Sequence, residues 1–120
     1  MRKVSIRCIT FTDGEETTLE TEGEIEFSGD ATHLFYQADD YTFAVTAYDA
    51  WAEIVRTGEN AYRVRLCEGE THPIESALLQ AEVYTHALKQ KRTETAYAFM
   101  ASYSLGGGEP MKLFITATLL

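Results

Sequence analysis

Hydrophobic and polar residues alternate with a period of two along most of the chain, the signature of strands that bury one face. Val4, Ile6 and Cys8 alternate with Lys3, Ser5 and Arg7. Leu19, Thr21, Gly23, Ile25 and Phe27 alternate with Glu20, Glu22, Glu24 and Glu26. Further strand-like runs are predicted over Thr32–Gln37, Tyr41–Tyr48, Trp51–Arg56, Tyr62–Cys67, Thr95–Tyr103 and Met111–Leu120. Turn-forming residues separate the runs: Asp13-Gly14, Ser28-Gly29-Asp30, Ala38-Asp39-Asp40, Thr57-Gly58-Glu59-Asn60, Glu68-Gly69-Glu70 and Gly106-Gly107-Gly108. Many short strands with turns at near-regular spacing predict an all-β meander, a sandwich or a barrel.

The first hairpin tests this pattern. A two-residue turn at Asp13-Gly14 sets Arg7 opposite Glu20, Ser5 opposite Glu22 and Lys3 opposite Glu24. On the other face Cys8 meets Leu19, Ile6 meets Thr21 and Val4 meets Gly23. One face then carries complementary charges and the other is small and apolar, so turn chemistry and facial pattern agree.

Two segments admit more than one reading. Glu75–Lys91 favours helix through Ala77, Leu78, Ala81 and Leu88. The same stretch alternates, with Leu79, Ala81, Val83, Thr85 and Ala87 against Gln80, Glu82, Tyr84, His86 and Leu88. The hairpin Trp51–Cys67 depends on the parity of its turn. An odd turn places Ile54, Tyr62, Val64 and Leu66 inside with Arg56, pairs Glu53 with Arg63, and lets Trp51 stack on Arg65 outside. An even turn puts Arg56, Arg63 and Arg65 on Ile54's face, where three guanidinium groups need an anionic ligand or buried partners. The odd register balances charge and buries the apolar set, so it is expected.

The order of motifs resembles a known family. Asp13-Gly14 is followed by Thr21-x-Gly23, then Ile54-Val55-Arg56-Thr57-Gly58, a strand with Arg65, and Thr85-x-x-Leu88 before a tyrosine-bearing strand and a final hydrophobic strand. This arrangement resembles the YwiB-like family, small bacterial proteins of unknown function. The chain departs from the family after Pro73, where Ile74-Glu75-Ser76 replaces a tyrosine and glycine turn. The resemblance implies a single antiparallel up-and-down, lipocalin-like (calycin-type) barrel of about eight to ten strands over residues 1–120. It also implies that Leu78–Lys89 is strand rather than helix.

Composition narrows the function. The chain has 120 residues, 45% of them hydrophobic and 24% charged, which suits one domain with a real core. Its formal net charge of −9 argues against nucleic acid and against an anionic membrane surface. The acidity is confined: from Cys8 to Val55 there are 12 acids and no Lys or Arg, while the remainder carries seven acids against ten bases. No leader-like apolar run follows Met1-Arg2-Lys3, and no stretch is long enough to span a membrane. Cys8 and Cys67 match no metal or redox spacing, so two free, buried thiols in a reducing cytoplasm are expected.

Few residues stand out for chemistry. Gly106-Gly107-Gly108 lacks the Lys-Ser/Thr of a phosphate loop, and no Gly-x-Ser-x-Gly elbow occurs. His33, His72 and His86 are too scattered for metal ligands, and Asp39-Asp40 sits in a turn. No metal or cofactor is expected. Arg56 is the candidate reader of an anionic group at a barrel mouth, because a guanidinium fork suits a carboxylate or phosphate. Its structural alternative is to satisfy turn carbonyls. Tyr36, Tyr62 and Tyr97 fall on predicted inner faces and are candidate lining residues, or else core with a satisfied hydroxyl. The leading expectation is therefore non-catalytic binding of a small, partly apolar anionic ligand. The alternative is an interaction module or homodimer using Trp51, Phe35 and the final strand. An enzyme ranks last, since no nucleophile, base and orienting group are spaced together.

Overall fold

The computed structural model describes all 120 residues. Ten strands form one antiparallel sheet: β1 (Arg2–Thr12), β2 (Glu15–Ser28), β3 (Ala31–Gln37), β4 (Tyr41–Ala47), β5 (Ala52–Gly58), β6 (Tyr62–Leu66), β7 (Thr71–Pro73), β8 (Glu82–Arg92), β9 (Ala96–Leu105) and β10 (Met111–Leu119). The spatial order is β6-β5-β4-β3-β2-β1-β10-β9-β8-β7, so the chain meanders and β10 returns to pair with β1. The sheet curls until its two ends meet at one bridge, where Arg63 and Glu75 exchange backbone hydrogen bonds of 2.9 and 2.8 Å. This is the nearly closed up-and-down barrel that the motif order implied, and closure leaves few strand edges unpaired. There is no helix, and so none long and apolar enough to cross a membrane.

The first hairpin has the register its turn dictates. Arg7 faces Glu20, Ser5 faces Glu22, Lys3 faces Glu24, and Val4 faces Gly23. Asp13 and Gly14 both adopt positive φ, 51° and 79°, as a type I′ turn requires. Arg7 Nε lies 3.7 Å from Glu20 Oε1 on the exposed outer wall.

The β5–β6 turn has odd parity, with five residues between the paired Arg56 and Tyr62. Ile54, Val64 and Leu66 are buried inside, and the Arg65 guanidinium sits 4.3 Å above the Trp51 ring outside. The detailed pairing differs from expectation. Glu53 faces Arg65, and Arg63 faces Val55, because the turn is two residues longer at its core than a Glu53–Arg63 pairing requires. Face assignments survive such a shift of two, since strand side chains repeat every second residue.

The segment Leu78–Lys89 is only partly strand. Residues 74–81 run irregularly, with Leu78 and Leu79 exposed, and β8 begins at Glu82. Helix is absent because Val83 and Thr85 gain burial on the inner face that local propensity does not weigh. The alternation also breaks. Thr85 pairs with Tyr103 but Ala87 pairs with Ser102, leaving His86 as a β-bulge. Before the bulge odd residues point inward; after it Leu88, Gln90 and Arg92 face the inward-pointing Ala101, Phe99 and Tyr97.

Twenty buried residues form one contiguous core filling the barrel's middle, including Ile6, Leu34, Val45, Ile54, Leu66 and Phe99. Cys8 is buried at its edge, but Cys67 is only half-buried, in the β6–β7 loop, and both are free thiols. Gly23 is essential to the curl. A Cβ there would stand 2.3 Å from the Phe35 carbonyl oxygen and 2.4 Å from Ile6 Cδ1, so β1 and β3 close on β2 only because this side chain is missing.

Candidate functional site

A meander sends alternate strands in opposite directions, so one mouth of the barrel collects the ends of odd strands and the starts of even ones, and the other mouth the reverse. Arg56 near the end of β5, Tyr36 near the end of β3, and Tyr41 and Tyr62 at the starts of β4 and β6 therefore meet at one mouth. They line a cavity of about 230 Å³ with Cys8, Thr10, Thr17 and Tyr103. Arg56 faces Phe43 on one side and Tyr62 on the other. Its Nε donates to the Glu59 carbonyl at 2.8 Å, and its Cζ lies 3.8 Å from the centroid of the Tyr41 ring. The structural role and the candidate role coexist in this side chain. One N–H satisfies the turn and the ring fixes the plane, while the terminal nitrogens form no hydrogen bond to protein.

The walls are aromatic and hydroxyl-bearing. Tyr36 stacks on Phe43 with centroids 5.2 Å apart and meets Tyr41 edge-on at 6.2 Å. Burial pushes the Tyr62 phenol up to about 12, opposed only in part by the Arg56 charge. Burial also raises the Tyr36 and Tyr103 phenols, with the neighbouring Cys8 adding to both. The Cys8 thiol is itself pushed up by burial, so it is a neutral wall atom and not a nucleophile. No carboxylate lines this cavity, and Arg56 is its one charged side chain. Neutral hydroxyls with a fixed guanidinium can bind and orient an anion; no general base stands beside a nucleophile here.

Tyr97 does not join this group. It lies near the start of β9, at the opposite mouth, where it is buried and donates a hydrogen bond to Gln90 Oε1 at 2.7 Å. Pairing sets this placement: β1 runs antiparallel to β10 and β10 to β9, so β9 starts at the mouth where β1 starts, away from the end of β5. Tyr41 and Tyr103 belong to the site and were legible as aromatic residues bordering turns. The opposite mouth holds a larger cavity, about 400 Å³, that no sequence motif marked.

The three histidines and Cys67 lie on the outer wall, in β7 or in loops. His33 Nδ1 is 3.2 Å from Thr46 Oγ1, and His86 Nε2 is 2.7 Å from Ser104 Oγ. His72 Nε2 is 2.8 Å from Glu70 Oε1, and Cys67 Sγ donates to Glu70 Oε2 at 3.2 Å. The carboxylate sits between thiol and imidazole, so no Cys–His nucleophile pair forms. Its hydrogen bond raises the Cys67 thiol above the ordinary range.

No protein-family model and no curated protein sequence matches the chain. Among solved structures, the crystal structure of the ywiB protein from Bacillus subtilis superposes with a TM-score of 0.77 and 15% identity, covering 98% of this chain and 90% of that one. The superposition shows that the chain has the fold of the YwiB protein.

Proposed function

We propose that the Arg56 mouth binds a small, partly apolar carboxylate without catalysis. The observation that carries the reading is a guanidinium held by Glu59 and Tyr41 at a cavity with no carboxylate of its own. Holding Arg56 in place removes much of the entropy cost of ordering a long side chain on binding. The phenols of Tyr36, Tyr41, Tyr62 and Tyr103 offer hydrogen bonds and flat apolar faces to the body of the ligand. The volume lies below the range of about 300–1,000 Å³ usual for drug-sized ligands, which favours a short ligand. Two free thiols suit a reducing compartment such as the cytoplasm. Benzoate is the probe: its amide shifts in two-dimensional NMR are expected around Thr10, Tyr41 and Tyr62, and to vanish in Arg56→Gln. Unchanged benzoate shifts in that variant, or none in the native chain, would refute the reading.

Self-association is the second reading. Phe11 and Phe114 meet edge-on at 5.9 Å on the outer wall, and each is more than a third exposed. Phe35 is similarly exposed, whereas Trp51 is covered by Tyr48 and Arg65. The final strand is paired on both sides, so a partner would meet its side chains, not a free edge. Sedimentation that gives one mass over a wide concentration range would remove this reading.

A further inference from the structure

The mouth opposite Arg56 combines an apolar floor with two guanidinium groups. Its cavity of about 400 Å³ rests on Val4, Ile25, Tyr97 and Ala117, all of them buried. Arg2 and Arg92 stand at its rim, Arg2 opening β1 and Arg92 closing β8. Arg92 points inward only because the His86 bulge reverses the parity of β8. Its Cζ lies 3.5 Å from the centroid of the Phe27 ring, and Phe27 meets Tyr97 edge-on at 6.3 Å. Beneath the rim, Tyr97 donates to Gln90, and Gln90 Nε2 donates to the Tyr48 carbonyl at 2.7 Å. The Tyr97 hydroxyl is thereby fixed with its oxygen still able to accept.

The charge is poorly matched inside the protein. Neither Arg2 nor Arg92 forms an ion pair, and Glu94 is the one acid at the cavity. Two cations against one anion around an apolar well suit a ligand with a single negative head and a hydrophobic body. Ring stacking holds the Arg92 fork by its face and leaves its edge, where the N–H groups lie, open for a carboxylate.

We propose that this second mouth binds an amphipathic monocarboxylate, of the class of a medium-chain fatty acid, with its head between Arg2 and Arg92 and its chain on the Val4–Ile25–Ala117 floor. The site is separate from the Arg56 mouth, since the contiguous core fills the barrel between them. It is the larger of the two, so it takes the longer ligand.

The test is calorimetric titration of the intact chain with decanoate, with decanol as the uncharged analogue, and NMR amide shifts to locate the ligand. Saturable decanoate binding is expected, at least ~tenfold weaker in Arg92→Gln, unaffected in Arg56→Gln, and with shifts at Ala96, Tyr97 and Ala117. Arg92 is exposed, so Arg92→Gln is expected to fold, which its thermal transition checks. The proposal is overturned if decanoate does not saturate, if decanol binds as well, if Arg92→Gln leaves affinity unchanged, or if Arg56→Gln abolishes binding instead. Because benzoate reports on the Arg56 mouth and decanoate on this one, either reading can fail without the other.

Discussion

Arg56 and Tyr62 stand directly opposite each other across the β5–β6 ladder, a guanidinium facing a phenol at the inner rim of one mouth. The pair exists because five residues separate them, which sets both on the inner face. Removing Arg56 takes away the hydrogen bond to Glu59 and the contact with Tyr41. Arg56→Ala is expected to lower stability by roughly 1–2 kcal/mol. Arg56→Lys keeps the charge and loses the fork, and so falls between. Urea unfolding of the three proteins checks this, and identical midpoints would mean that the side chain is not docked.

Gly23 lies inside β2 with no room for a methyl group, because the nearest atoms include the Phe35 backbone carbonyl, which cannot swing aside. Gly23→Ala is expected to cost at least ~2 kcal/mol or to prevent folding. Gly29 has open space around it and a φ of 62°, a conformation that Asn tolerates. Gly29→Asn is therefore expected to be nearly neutral. Thermal melts of both variants decide whether closeness or backbone conformation governs each glycine.

Stability is expected to fall in alkali. The Tyr62 phenol has an ordinary value of 10.0 and is raised by burial to about 12 in the fold. Between those values the unfolded chain has released its proton and the folded chain has not. Unfolding is thus favoured increasingly as pH rises through this window, and the contribution is fully present below pH 10. A shift of this size corresponds to roughly 2–3 kcal/mol from Tyr62. Tyr36, Tyr97 and Tyr103 are raised as well and act in the same direction. Denaturant midpoints at several values between pH 9 and about 12 are expected to decline, less steeply in Tyr62→Phe.

The two thiols are expected to differ in access. Cys8 is buried and held neutral, while Cys67 lies half-exposed in the β6–β7 loop and donates to Glu70. Glu70 holds the Cys67 proton in place, so Glu70→Gln is expected to speed labelling of Cys67 by a thiol reagent several-fold at mildly alkaline pH. Mass spectrometry assigns the labelled site. Faster labelling at Cys8, or no acceleration at Cys67, contradicts the arrangement.

Local features were legible in the sequence. The alternation of Val4, Ile6 and Cys8, the Asp13-Gly14 turn and the charge pairs across the first hairpin determine one another, because side-chain direction repeats every two residues and a turn's length fixes parity. The same logic placed Arg56 and Tyr62 inside. The free thiols followed from spacing, though the exposure of Cys67 did not, since it depends on a loop crossing to β8 through Gly69 and Thr85.

What the tertiary structure alone decided is which end of the barrel each residue reaches. A mouth assignment depends on counting every strand, and β7, three residues long, carries no period-two pattern of its own. It forms because the edge of β8 supplies partners and because Glu75 closes onto Arg63. The pairing of β1 with β10 and of β10 with β9 sends Tyr97 away from Arg56, and the His86 bulge turns Arg92 inward beside it. The sequence by itself determined turns, the first register and the faces of the regular strands, which are short-range and steric. Directions, closure and the two separate mouths came from hydrogen bonding between segments distant in the chain, whose pairing is satisfied only once the whole sheet has curled shut.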